Sequence, residues 1–191
     1  MAVLEIAHIG NPVLRERARE LTQDELLSED TQRLIDDLVE TMRHANGAGI
    51  AATQVSSSAR VFVVEVNDNP RYPYKPNIPL TIVVNPIVEP LTDETFDNYE
   101  GCLSVPNLRG VVRRYAEARV RGWTRDGAPF ERTVRGLTAG TFQHESDHLD
   151  GILFIDRVDD PRTLCTWAEF ERHHKQAFIE RIVPFIAKMG G

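Results

Sequence analysis

The segment His144-Glu145-Ser146-Asp147-His148 sets two imidazoles four residues apart with a carboxylate between them. Residues at that spacing share one face of a helix, so both Nε2 atoms can converge on a single divalent ion while Glu145 projects beside it. A helix supplies the arrangement already ordered. The chemistry this suits is hydrolysis: the ion lowers the pKa of water and the carboxylate carries the proton. Catalytic sites of this type use three protein ligands and leave one position open, so one ligand has to come from elsewhere in the chain.

Two sources of that ligand stand out. Cys102, in Glu100-Gly101-Cys102-Leu103-Ser104, lies in a glycine-containing turn between apparent strands, where a thiolate can face a cleft. Glu169 and Glu171 follow His148 by roughly twenty residues, a spacing used by metal-dependent peptidases that take a carboxylate from a later helix. Free cysteines are commonly small buried hydrophobes, so position alone leaves both sources open. A third stretch, Gly47-Ala48-Gly49-Ile50-Ala51-Ala52-Thr53-Gln54, lets backbone approach a ligand closely at its glycines. Gln54 there offers an amide N–H pair to a developing oxyanion. The stretch lacks the Gly-Lys-Ser/Thr of a phosphate cradle.

The elements that must position these groups follow from periodicity. Leu34, Ile35, Leu38, Val39 and Met42 recur at three-and-four spacing, which predicts a helix over 31–45, stopped by Asn46-Gly47. β-Branched runs predict strands over 61–66 and 80–84, and prolines at 70, 73, 76 and 79 predict an exposed irregular loop between them. Residues 118–124 and 130–134 flank Arg125-Asp126-Gly127 as a hairpin. A helix over 136–149 carries the histidine pair. A short strand or coil at 152–155 and a final helix from Pro161 to about 182 complete the expectation.

With 41% apolar and 27% charged residues, the 191-residue chain reads as one soluble domain spanning 1–191. A net charge of −7 argues against a general or sequence-specific nucleic-acid binder. No run approaches the roughly 18 apolar residues of a membrane span, and the start lacks a basic export signal. The expected compartment is the cytoplasm, with Cys102 and Cys165 as free thiols.

Jointly and in this order, GAGIAATQ at 47–54, EGCLS at 100–104 and QHESDHLDGILF at 143–154 resemble the signature motifs of peptide deformylases. The resemblance implies an α+β fold, with small antiparallel β-sheets packed around a central metal-binding helix and helices at both ends. It implies Cys102, His144 and His148 as metal ligands, Glu145 as general acid and base, and Gln54 with the Leu103 backbone N–H as the oxyanion hole. Iron(II) is the implied ion, with Zn2+, Ni2+ or Co2+ able to substitute. The implied substrates are N-formylmethionyl nascent peptides, met near the ribosome exit tunnel, and the product is formate. For the methionine side chain the resemblance implies an apolar pocket lined by Ile50, Leu137, Gly140, Thr141 and His144. Gly49 and Gly101 border the substrate, and Arg109 lines its groove. Gly140 predicts added room and tolerance of larger first side chains, and Asp147 is expected to pair with Arg114.

Two rival readings are carried forward. One is a zinc endopeptidase using His144, His148 and Glu169. The other is a structural zinc site, which would need four protein ligands.

Overall fold

The computed structural model describes residues 2–69 and 73–189. Thr22 and Glu25 cap the short α1 (Gln23–Leu27) reciprocally, a helix too brief for periodicity to reveal. The Ser28 side chain caps α2 (Glu29–His44) by accepting from the Thr31 N–H. This is why α2 begins two residues before the predicted start at 31.

Next along the chain come β1 (Gly49–Ala51), β2 (Val61–Val66), β3 (Ile78–Pro90), β4 (Thr95–Cys102), β5 (Val105–Tyr115), β6 (Glu117–Trp123) and β7 (Pro129–Arg135). After them are α3 (Gly136–Leu149), β8 (Cys165–Thr166), the single turn α4 (Trp167–Glu169) and α5 (Lys175–Met189). One antiparallel sheet has the order β1-β2-β3-β6-β7 and the other β4-β5-β8, so the architecture is α+β as expected.

β2 is apolar without alternation because both of its faces are covered. Phe62, Val64 and Val66 pack with Ala139 and Phe142 of α3, whereas Val61 and Val63 pack with Ile35, Leu38 and Met42 of α2. Phe62 and Phe142 meet edge to face at 5.7 Å. α3 in turn touches strands of both sheets, and 11 of its 14 residues are buried. A helix enclosed on nearly all sides has no solvent face, which is why its apolar periodicity is weak.

The structure departs from expectation in four places. β3 begins at Ile78 and contains Pro79, because Thr81 pairs with Val64 and Ile78 with Val66, leaving Pro79 at a register shift. The loop before it is not simply exposed: Tyr74 packs on Phe178 of α5 and Lys75 turns inward, while residues 70–72 lie outside the described residues. Residues 154–157 form a 3-10 turn, Phe154–Arg157, in which Asp156 accepts from the Leu153 N–H. Pro161 opens only another such turn, Pro161–Thr163. The chain must then extend to pair β8 with β5, so the last helical segment starts at Trp167 and passes through a π-helical turn, Phe170–His174, into α5.

Candidate active site

β4 and β5 form a hairpin whose register slips at the end of β4: Gly101 pairs with Arg109, but Cys102 pairs with Val105. Such a slip re-aims a side chain. Cys102 Sγ lies 3.2 Å from His148 Nε2 and accepts the Ser104 N–H at 3.3 Å. Ligand atoms of Cys102, His144 and His148 all fall within 4.8 Å of one another. One sulfur and two imidazole nitrogens are a donor set suited to a divalent transition ion. Glu169 is elsewhere, exposed on α4 and paired with Arg172 and His173, and Glu171 pairs with Lys175.

Glu100 orients the first histidine. Its carboxylate meets His144 Nδ1 at 2.9 Å and receives Arg114 Nε and Nη2 at 2.8 and 2.9 Å. Burial alone would raise its pKa, but the Arg114 guanidinium and His144 hold it well below the usual carboxylate range. An ionised Glu100 only accepts, so His144 Nδ1 carries a proton toward it, which leaves Nε2 as the atom a metal ion would take. Arg114 also donates to Asp147 at 2.6 Å, the expected pair, and Arg157 adds two further bonds to that aspartate at 2.7 and 2.6 Å. Glu100 and Cys102 are two apart on one strand, a spacing from which a shared face could have been read.

The two histidines are driven in opposite directions. Burial lowers the His144 pKa, yet hydrogen bonds to Cys102 and Glu100 carry it well above its ordinary value. Burial, reinforced by the His144 and Arg114 charges, pushes His148 well below. Protons held on such ligand atoms are displaced when an ion binds.

Glu145 is buried beside this cluster, and desolvation pushes its pKa up to about 7. Its Oε2 makes no hydrogen bond among the described residues. Gly49 backs directly onto it: a Cβ there would stand 2.6 Å from Glu145 Cδ. Gln54 sits in the 3-10 turn Ala52–Val55, where its Oε1 accepts the Ala51 N–H at 2.8 Å and its Nε2 donates to Ser104 Oγ at 3.0 Å. Those two bonds fix which end of the amide faces Cys102 Sγ, 3.6 Å from Nε2. Thr53 donates to the His148 carbonyl at 3.1 Å, tying this turn to α3.

A cavity of about 200 Å³ opens on these groups, bordered by Gly49, Gln54, Gly101, Leu103, Gly140 and Thr141. Lys75, Asn98 and Trp167, which sequence reasoning missed, border it too. Ile50 and Leu137 do not. Ile50 turns into the α2 side of the core, and Leu137 is covered by Phe170 and Phe178. Gly140 supplies no added room, because its Cβ position faces Phe96 Cζ at 3.3 Å and Asn98 Nδ2 at 3.6 Å. Arg109 borders the cavity, but its guanidinium is 4.5 Å from the Trp167 ring and 4.1 Å from Phe170 and donates to the Tyr99 carbonyl at 2.6 Å. It thus also clamps the C-terminal segment to β4 while standing on the cavity border.

The sequence profile of polypeptide deformylase matches residues 3–163. The chain belongs to the polypeptide deformylase family. Peptide deformylase 2 of a Nostoc species is 41% identical over 169 residues, covering 88% of this chain and 93% of its own. The Met-Ala-Ser-bound class I type b peptide deformylase of Acinetobacter baumannii superposes with a TM-score of 0.79 at 40% identity, over 82% of this chain and 99% of that one. The Thermotoga maritima peptide deformylase gives 0.74 at 34% identity, over 84% and 100%. The chain is thus a hydrolase that removes the N-formyl group from newly made polypeptides. Both rival readings lose their footing, since Glu169 lies apart from the cluster and only three protein ligands gather among the described residues.

In this deformylase the close approach of Gly49 to Glu145 can be tested. Gly49→Ala is expected to displace the Glu145 carboxyl and lower kcat by about 10²-fold, the cost of a misplacement near 1 Å. Circular dichroism should show the fold retained; near-normal formate release would mean that Glu145 accommodates the methyl group.

Proposed function

We propose that the chain deformylates the initiator methionine of nascent peptides using iron(II) held by Cys102, His144 and His148, with Zn2+, Ni2+ or Co2+ able to replace it. The observation that carries this reading is the convergence of those three donors beside a buried Glu145 whose pKa lies near neutrality. A divalent ion bound there lowers the pKa of water and polarises the formyl carbonyl.

The chain's own groups do the rest. Glu145 takes a proton from the attacking water and returns it to the departing amine, and a pKa near the working pH suits both transfers. Charge developing on the carbonyl oxygen is met by Gln54 Nε2 and the Leu103 backbone N–H. The C–N bond breaks, releasing formate and a free amino terminus. Met-Ala-Ser, the tripeptide in the Acinetobacter structure, is what formyl-Met-Ala-Ser leaves behind.

Nascent chains as substrates imply action in the cytoplasm, close to the ribosome exit tunnel. No described helix is long and apolar enough to cross a membrane. We read residues 1–191 as one catalytic unit, because Phe170, Phe178 and Ile182 share a core with Phe96 of β4 and Leu137 of α3.

The test is formate release from formyl-Met-Ala-Ser by protein loaded anaerobically with iron(II). No formate under those conditions overturns the reading. In the same assay Gln54→Ala is expected to lower kcat about 10²–10³-fold with KM little changed, since an oxyanion donor acts in the transition state. Near-normal kcat would remove Gln54 from the oxyanion hole.

A further inference from the structure

Deformylation as described makes no use of one wall of the cavity, formed by Lys75, Asn98 and Thr141. A pocket for a methionine thioether is best apolar, yet this wall carries an ammonium, a buried carboxamide and a buried hydroxyl. Lys75 Nζ donates to Thr141 Oγ1 at 3.1 Å, while that hydroxyl donates to the Leu137 carbonyl at 3.1 Å. Asn98 Nδ2 reaches Glu100 Oε1 at 3.4 Å.

Lys75 is held in place by packing that reaches beyond the residues matched to the family. Tyr74, its neighbour, meets Phe178 of α5 edge to face at 5.3 Å and its hydroxyl accepts from Arg109 at 3.5 Å. The family match ends at 163, so the aromatic support from Phe178 is a feature of this chain's later segment.

The charges around the ammonium leave it cationic. Desolvation pushes the Lys75 pKa down to about 8, opposed by Glu100 and Glu145 and reinforced by Arg109. Glu100 is itself doubly bonded to Arg114 and bonded to His144. An ammonium in such surroundings favours an oxygen acceptor over a thioether, because it offers three N–H donors and sulfur is a weak acceptor.

We propose that Lys75 makes this pocket accept N-formyl peptides whose first side chain ends in an oxygen acceptor at about methionine's length, namely glutamine, glutamate or methionine sulfoxide. This rests on the deformylase reading and extends its substrates beyond the initiator methionine. Lys75 recognises the side-chain oxygen, and Thr141 steadies the ammonium.

The experiment measures kcat/KM for formate release from the Met, Met-sulfoxide, Gln and Glu forms of formyl-X-Ala-Ser, using iron(II)-loaded wild type, Lys75→Met and Lys75→Arg. Wild type is expected to use the acceptor peptides at least as well as formyl-Met-Ala-Ser. Lys75→Met should lower them at least tenfold, the loss expected when a charged hydrogen bond is removed, while raising the rate on formyl-Met-Ala-Ser. Lys75→Arg should keep the acceptor preference. An equal fall on all four peptides in Lys75→Met would make the lysine a support for its loop and overturn the proposal, as would a wild type that strongly prefers methionine. Absence of formate from every peptide with wild type would instead bring down the deformylase reading itself.

Discussion

Glu145→Gln is expected to lower kcat on formyl-Met-Ala-Ser on the order of 10³-fold while leaving the metal in place. Glutamine keeps the size of the side chain against Gly49, whose Cβ position stands 2.6 Å from Glu145 Cδ, so the packing is preserved. What disappears is the ability to take and return a proton, a function worth about 10²–10⁴-fold in enzymes generally. Burial already raises the Glu145 pKa to about 7, so a neutral amide is not foreign to the site and thermal stability should hold or rise. Single-turnover formate release, elemental analysis and a melting curve check the three parts together. Activity within tenfold of wild type would mean that another group moves the proton.

Replacing the thiolate should have a different signature. Cys102→Ala removes the one anionic donor of the three, leaving His144 and His148 four residues apart on α3 with no third ligand. Loss of an outer-shell partner already costs roughly 10–100-fold in metal affinity, so loss of a ligand should cost more than that. Protein purified with the ion present is expected to come out metal-free and inactive. Glu169→Ala should retain both metal and activity, because that carboxylate is exposed and bonded to Arg172 and His173. The opposite pattern, metal kept without Cys102 and lost without Glu169, would restore the peptidase assignment.

Much of the site was legible because it is local. Two histidines at helical spacing and a glutamate beside the first are a pattern of one turn, and Gln54 stands out as an amide following a run of small residues. The strand 61–66, the hairpin around Asp126-Gly127 and the helix 136–149 were equally readable, since turn chemistry and residue period act over a few positions. The readings of Ile50, Leu137, Gly140 and the final helix differ from the structure for a common reason. Each depends on which distant element covers the residue: α2 for Ile50, the C-terminal aromatics for Leu137, Phe96 for Gly140, and the β5 edge for residues 165–166.

The HESDH segment thus carries by itself two candidate ligands, the proposed proton carrier and the helix that aligns them, because period and residue type determine all four. Tertiary structure decided how those groups are tuned. Glu100 orients the His144 ring across 44 residues of chain, Arg114 and Arg157 converge on Asp147, and Tyr74 and Phe178 set Lys75 on the cavity wall. Such contacts arise from sheets and helices closing on one another. Their partners share no spacing from which a periodicity could be read.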